Sequence, residues 1–321
     1  MDVRRLATEA FARLAPCLPA TPVEESPMLG RVVGGRVFLK LENRQPSGSF
    51  KIRGVMNRLL AMPAERRRDG VVAASTGNHG LALAHASRVL AVPAVVFAPE
   101  TARPAKIEAL RASGVELRLS GEDCLDAERA ARRFARERGA VYLSPYNDPY
   151  VVGGQATIGV ELVDRPGPVD ALVASLGGGG LIGGAGGYLK TEPTAALVIA
   201  GSPANSPAMH RSIEARRVVA TPSRPTLSDA TAGDVEPGAI TFELCRRTID
   251  HSVLVDEDAI LDGVRTIRRE HGMWIEGAAG VAVAAFFAAA ALLRGARVVI
   301  VICGGNVDPS LAGRVAKITR K

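Results

Sequence analysis

Val169-Asp170-Ala171-Leu172-Val173-Ala174-Ser175-Leu176-Gly177-Gly178-Gly179-Gly180-Leu181-Ile182-Gly183-Gly184 reads as a mainly apolar strand, a turn of four successive glycines, and the start of a helix. The strand has no in-and-out alternation, the pattern of a strand covered on both faces. The same unit recurs along the chain. Val37–Leu41 is a strand followed by a Pro/Ser/Gly turn and a helix from about Phe50. Val71–Ala74 runs into Ser75-Thr76-Gly77-Asn78-His79, after which Gly80–Leu90 is helical. Ala94–Ala98 and Val115–Leu119 are short strands separated by the helical Ala105–Ala112, and Leu197–Ala200 and Val298–Ile302 are two more. Apolar strands joined by helices define an α/β fold with a mainly parallel sheet covered on both faces. Only Gly201–Gly238, rich in Pro, Ser, Thr and Ala, breaks the rhythm. It reads as an irregular connection with one helix around Ala208–Ala215.

At 321 residues the chain holds one large domain or two ordinary ones. Hydrophobic residues at 47% and charged residues at 23% are the profile of a globular protein. The formal charge of +7 comes mostly from arginines dispersed along helical stretches such as Ala127–Gly139, interleaved with Glu128 and Glu137. With aromatics at only 4%, there is no stacking platform for bases, so nucleic acid is not an expected partner. Cys17, Cys124, Cys245 and Cys303 form no C-x-x-C pair, which argues for a reducing compartment and against a zinc site or a disulfide scaffold. Arg4, Arg5, Glu9 and Arg13 interrupt any signal-peptide pattern, and Gly277–Leu293, ended by Arg294, is too short for a membrane span and reads as a buried helix. The expectation is a cytoplasmic protein without a membrane partner.

Four constellations carry chemistry. In Ser47-Gly48-Ser49-Phe50-Lys51-Ile52-Arg53-Gly54, a lysine follows a turn at the start of a helix, beside an aromatic ring. The other lysines are only Lys40, Lys106, Lys190, Lys317 and Lys321. In a chain whose default cation is arginine, an embedded lysine is informative, because a desolvated lysine can deprotonate and act as a nucleophile. Gly177–Gly180 lets backbone N–H groups converge on an anion at a helix N-terminus. It lacks the G-K-[ST] ending of a nucleotide P-loop and any acidic residue about twenty positions on to hold a ribose, so a small phosphate monoester fits better. Ser75–Gly80 is a second such turn, suited to a carboxylate, with side-chain donors at Asn78 and His79; an ordinary N-cap would explain one of these residues but not all of them. Cys303, in Ile302-Cys303-Gly304-Gly305-Asn306, lies where a strand ends, the end at which α/β sheets bind ligands, although a lone thiol there is also an ordinary small core residue. His85, His210, His251 and His271 share no metal-like spacing.

In this order, over about Pro22 to Asp308, these motifs resemble the fold-type II pyridoxal-phosphate enzymes, particularly the serine/threonine dehydratase and serine racemase group. The resemblance implies a tryptophan-synthase-β-like architecture of two three-layer domains. A small one (about 69–146) is inserted in a large cofactor-binding one (1–68 and 147–321), and the protein is a homodimer. It implies pyridoxal 5′-phosphate carried by the catalytic Lys51 as a Schiff base, with Phe50 beside the ring and Asn78 at the pyridine hydroxyl. Gly177, Gly178, Gly179 and Gly180 would hold the phosphate, Cys303 would face the pyridine nitrogen, and Glu276 would lie near the cofactor. Ser75, Thr76, Gly77, Asn78 and His79, with Asn147, would receive the carboxylate of a small amino-acid substrate. Thr76 replaces the racemases' second serine and keeps a hydroxyl for proton delivery.

The implied reaction is loss of water from a β-hydroxy amino acid to give a 2-oxo acid and ammonia. Racemisation and β-replacement are the alternatives within the fold, and a non-catalytic phosphate-ligand binding protein is the alternative outside it. Ser75–Gly80, Gly154–Gly159, Ala208–His210, Pro225–Asp229 and Asn306–Asp308 look closest to the hydroxyectoine-utilisation dehydratases. Two departures stand out. Ser202 and Ala208 replace the acidic pair that holds a divalent ion in many racemases, so no metal is expected, and Ala230 stands where relatives often have glycine.

Overall fold

The computed structural model describes residues 1–316. Ten strands form two sheets: β1 (Val23–Glu25), β2 (Arg36–Leu41), β3 (Val71–Ala74), β4 (Ala94–Ala98), β5 (Glu116–Leu119), β6 (Val141–Tyr142), β7 (Ala171–Ser175), β8 (Leu197–Pro203), β9 (His251–Val255) and β10 (Arg297–Ile302). The larger sheet runs β1-β2-β10-β7-β8-β9 and the smaller β5-β4-β3-β6. All pairings are parallel except that of β1 with β2. This is the α/β architecture expected from the uninterrupted apolar strands.

The centre of the larger sheet is β10, whose Val298–Ile302 are fully buried between β2 and β7. Each such side chain stabilises the fold by roughly 1.5–3 kcal/mol through burial. The Ala-rich segment beginning at Gly277 is a core helix, Gly277–Ala288, buried against β7, β8 and β10, followed by a 3-10 turn at Ala290–Leu293. Small residues let this helix lie close to the sheet: a Cβ on Gly201 would come within 2.8 Å of Ala285 Cβ. No helix among the described residues is long and apolar enough to cross a membrane.

The four strands of the smaller sheet all fall within residues 69–146, but its core does not. Leu83, Val96 and Leu110 pack with Ile52, Val55, Met56 and Leu59 from the helix Lys51–Ala61, and with Leu14 and Val151. The expected boundary after residue 68 therefore cuts the small unit's own core. The helix that begins at Lys51 covers the small sheet, while the turn before it belongs to the large one. Residues 317–321 of the expected large unit lie outside the described residues.

Candidate active site

The segments leaving β3, β7 and β10 at their carboxyl ends line one cavity of about 590 Å³, within the roughly 300–1,000 Å³ usual for small-molecule sites. The crevice lies where the strand order reverses. β8 and β9 continue outward from β7 on one side, whereas β10 returns on the other, as ligand sites in open α/β sheets do.

Lys51 reaches this cavity because the turn before it is stitched to the loop after β10. Phe50 N donates to Cys303 O (3.0 Å), Gly305 N donates to Gly48 O (2.9 Å), and Ser49 bridges to Gly304. Gly48 makes this possible at φ +76°, with the Asn306 amide where a side chain would stand. Lys51 Nζ donates to Pro145 O (3.0 Å) and lies 5.1 Å from the Phe50 ring centroid. Burial lowers the Lys51 amine to about 8. At neutral pH roughly a tenth of such amines are free, against fewer than about one in a thousand for an ordinary lysine.

The four-glycine turn leaves β7 and opens the helix Gly180–Leu189. The amides of Gly177, Gly178 and Gly179 donate to no protein acceptor among the described residues, and the helix adds its positive end. Glycine is required on the outside of the turn. A side chain on Gly178 would run into the Tyr146 ring, and Gly179 sits at φ +85° with its missing Cβ 2.5 Å from Cys245 Sγ. The turn is a concave set of free N–H donors, the geometry that holds a phosphate.

After β3, Gly77 N donates to Ser75 Oγ (3.1 Å) and the helix Asn78–Leu90 begins, leaving Thr76 partly buried on the cavity wall. Asn78 Nδ2 donates to both oxygens of Glu276 (2.9 and 2.7 Å), and its Oδ1 accepts from Asn306 (2.7 Å). Leu143 O accepts from His79 Nε2 (3.0 Å), which puts the ring proton on that nitrogen. Burial, and then Lys51, lower this imidazole to about 3, so it stays neutral. At the floor, Ser175 Oγ donates to Cys303 Sγ (3.7 Å), and Cys303 Sγ donates to Glu276 Oε1 (3.6 Å). Burial, helped by Glu276, pushes the Cys303 thiol well above its usual range, so it remains protonated. Burial raises the Glu276 carboxyl to about 7 against the Asn78 hydrogen bonds.

A carboxyl raised from 4.5 in the unfolded chain to about 7 in the fold binds more protons when folded, so stability falls as pH rises across that window. In cofactor-free protein, Glu276→Gln is expected to gain about 2 kcal/mol on wild type between pH 5.5 and 8.5, because the glutamine does not ionise. Urea melts at the two pH values measure it, and parallel stability curves would contradict it.

Lys51, Phe50, Ser75, Thr76, Gly77, Asn78, His79, Gly177–Gly180, Glu276 and Cys303 all line the one cavity. Asn147 does not. Its Oδ1 accepts from Ile240 N (2.9 Å) at the start of the helix Ile240–Thr248. Not marked as site residues by the sequence are Lys106, Asp229 and Asp308, which also line the cavity; Lys106 pairs with Asp229 and Arg103 with Asp308 (2.8 Å), joining the small unit to the large one. The scarcity of lysines was the one signal that could have marked Lys106.

A lysine amine with a depressed pKa, a phosphate cradle and a neutral thiol around one cavity define a site for a phosphorylated carbonyl cofactor, and the residues present fit pyridoxal phosphate. The model of the family described as "Pyridoxal-phosphate dependent enzyme" matches residues 15–304. The L-threonine ammonia-lyase of Thermotoga maritima is 37% identical over 96% of this chain and 76% of its own length. Among solved structures, threonine deaminase isoform 2 of Solanum lycopersicum superposes with a TM-score of 0.91 at 28% identity, covering 98% of this chain and 87% of that one. Maize serine racemase superposes with a TM-score of 0.90 at 29% identity, covering 97% and 95%. The chain belongs to the pyridoxal-phosphate dependent enzyme family and, within it, is a lyase.

Proposed function

We propose that the protein is a dehydratase that removes water from a β-hydroxy amino acid of the threonine or serine kind, giving a 2-oxo acid and ammonia. The observation that carries this reading is the Lys51 amine, lowered to about 8, in one cavity with the Gly177–Gly180 cradle and the neutral Cys303. When bound, pyridoxal phosphate supplies a carbonyl partner for an amine and a sink for electrons released at the α-carbon. Lys51, Phe50, Gly177–Gly180, Asn78, Glu276 and Cys303 would hold it. The substrate carboxylate is received by the Ser75–Gly77 turn at the N-terminus of the helix Asn78–Leu90. Lys51 Nζ takes the α-proton. Cys303, kept neutral, brings no negative charge to the cavity floor. That favours expulsion of the β-hydroxyl over return of the proton to the α-carbon. The departing hydroxyl requires a proton donor, since hydroxide is a poor leaving group.

Within this class, the motifs shared with hydroxyectoine-utilisation dehydratases favour a hydroxyectoine-derived amino acid as one substrate. A homodimer follows from the family likeness, and the four free cysteines fit a reducing, cytoplasmic setting. Steady-state 2-oxo acid, ammonia and D-isomer formation should be measured with L-threonine, L-serine, 3-hydroxyaspartate and a hydroxyectoine-derived amino acid. The expected result is equal amounts of oxo acid and ammonia from at least one of them. D-isomer without oxo acid, or no turnover, would overturn the reading.

Thr76 favours racemisation as a second activity, since its hydroxyl lines the cavity and has no protein partner among the described residues. Thr76→Ala is expected to lower any D-isomer formation by about a hundredfold while oxo-acid formation stays within about threefold. Equal loss of both products would confine the Thr76 hydroxyl to holding the substrate carboxylate.

A further inference from the structure

Away from the cavity, four charged side chains are buried together. Arg53 Nε and Nη2 donate to the two oxygens of Glu42 (2.7 and 2.8 Å), and its Nη1 and Nη2 donate to the two oxygens of Glu161 (2.5 and 2.9 Å). Lys40 Nζ, on β2, pairs with Glu161 and donates to Thr21 O (2.8 Å). Thr157 Oγ1 accepts from Arg53 (3.0 Å), and Thr21 Oγ1 donates to Glu42 (2.5 Å). Two cations face two anions, and all four residues are buried.

Such a cluster is a poor source of stability, because desolvating its charges consumes most of the attraction between them. Its position is more informative. Glu42 follows β2 of the large sheet, Glu161 lies on the helix Pro149–Asp164, and Arg53 is two residues from Lys51. The helix Lys51–Ala61 packs one face into the core of the small sheet and another along the helix Pro149–Asp164, where Asn57 Nδ2 donates to Tyr150 O (2.7 Å) and Arg58 pairs with Asp148 (2.9 Å). Its first turn also touches the helix Pro149–Asp164 backbone to backbone, since a Cβ on Gly154 would lie 2.5 Å from Arg53 O. That second helix follows the Pro145 carbonyl which holds the Lys51 amine.

We infer that Arg53, clamped by Glu42 and Glu161, is a positioning residue that ties the Lys51 end of its helix to the large sheet, keeping the amine registered against the glycine cradle and Cys303. The inference rests on the proposed role of Lys51 as the reacting amine. Lysine at position 53 cannot replace the clamp, since an ammonium does not bridge two carboxylates in a fixed fork.

Removing both members of a buried pair preserves stability far better than removing one, so the test uses the double variant Arg53→Met/Glu42→Leu, which leaves Lys40–Glu161 in place. Three quantities are compared with wild type: the melting temperature of apo-protein, the rate of covalent uptake of added pyridoxal 5′-phosphate followed at about 410–420 nm, and kcat and KM for the best substrate. The expected result is a melting temperature close to wild type, with uptake rate and kcat each lowered by about a hundredfold and KM little changed. Uptake and kcat within about threefold of wild type in a folded double variant would overturn it. Should the double variant not fold, Arg53→Lys decides by the same readings: slowed uptake and lowered kcat support the inference, and unchanged values with only a lower melting temperature overturn it. Absence of turnover in the wild type, with uptake intact, would instead count against the dehydratase reading alone.

Discussion

Lys51→Ala is expected to abolish the absorbance band at about 410–420 nm that added pyridoxal phosphate gives the wild type, and to lower 2-oxo acid formation by at least about a thousandfold. The size of the effect follows from the two tasks given to one nitrogen: covalent attachment and proton abstraction at the α-carbon. Neither has a substitute within reach. Lys106, the other lysine on the cavity wall, is paired with Asp229, and Lys40 is sealed among buried carboxylates. His79 has its ring proton committed to Leu143 O and is kept neutral by burial. The substitution leaves the fold intact, since Lys51 Nζ makes one protein hydrogen bond, to Pro145 O. Absorbance titration and an oxo-acid assay measure the two losses, and a variant that keeps the band would show that attachment lies elsewhere.

The next largest effect is expected at the glycine turn. Gly179→Ala forces a side chain into the left-handed region at φ +85° and against Cys245 Sγ, and Gly178→Ala pushes against the Tyr146 ring. Each distortion costs about 1–3 kcal/mol, and because it displaces the free amides it should weaken phosphate binding by about ten- to a hundredfold. Titrating apo-protein with pyridoxal 5′-phosphate and, separately, with unphosphorylated pyridoxal separates a damaged cradle from a damaged fold. A cradle defect weakens only the phosphorylated ligand; equal weakening of both would assign the four glycines to packing alone.

The elements legible in the sequence are those whose residues answer to one demand. β7 and β10 are covered on both faces, so their apolar runs stood out, and the four glycines and Lys51 are residue types that few other tasks require in that order. Edge strands carry a weaker mark. β1 is Val-Glu-Glu, and β9 is only partly buried along most of its length, so neither reads as an apolar run. The role of Asn147 depends on Ile240, 93 positions away, a contact that local pattern does not encode. The same holds for Lys40, Glu42, Arg53 and Glu161. Charged residues are almost never fully buried, so each reads alone as a surface residue, and only the approach of three elements reveals the cluster. The helix Lys51–Ala61 is shared by the two units, a feature no local pattern encodes: its apolar face belongs to the small core while its first residue faces the cavity.

Whether the amine at position 51 carries the cofactor is decided by treating the loaded protein with borohydride, digesting it and mapping the modified peptide by mass spectrometry. A reduced pyridoxyl group is expected on Lys51, within the segment Ser49–Arg53. A label on Lys106 or Lys190, or no label on a protein that still shows the band, would contradict it.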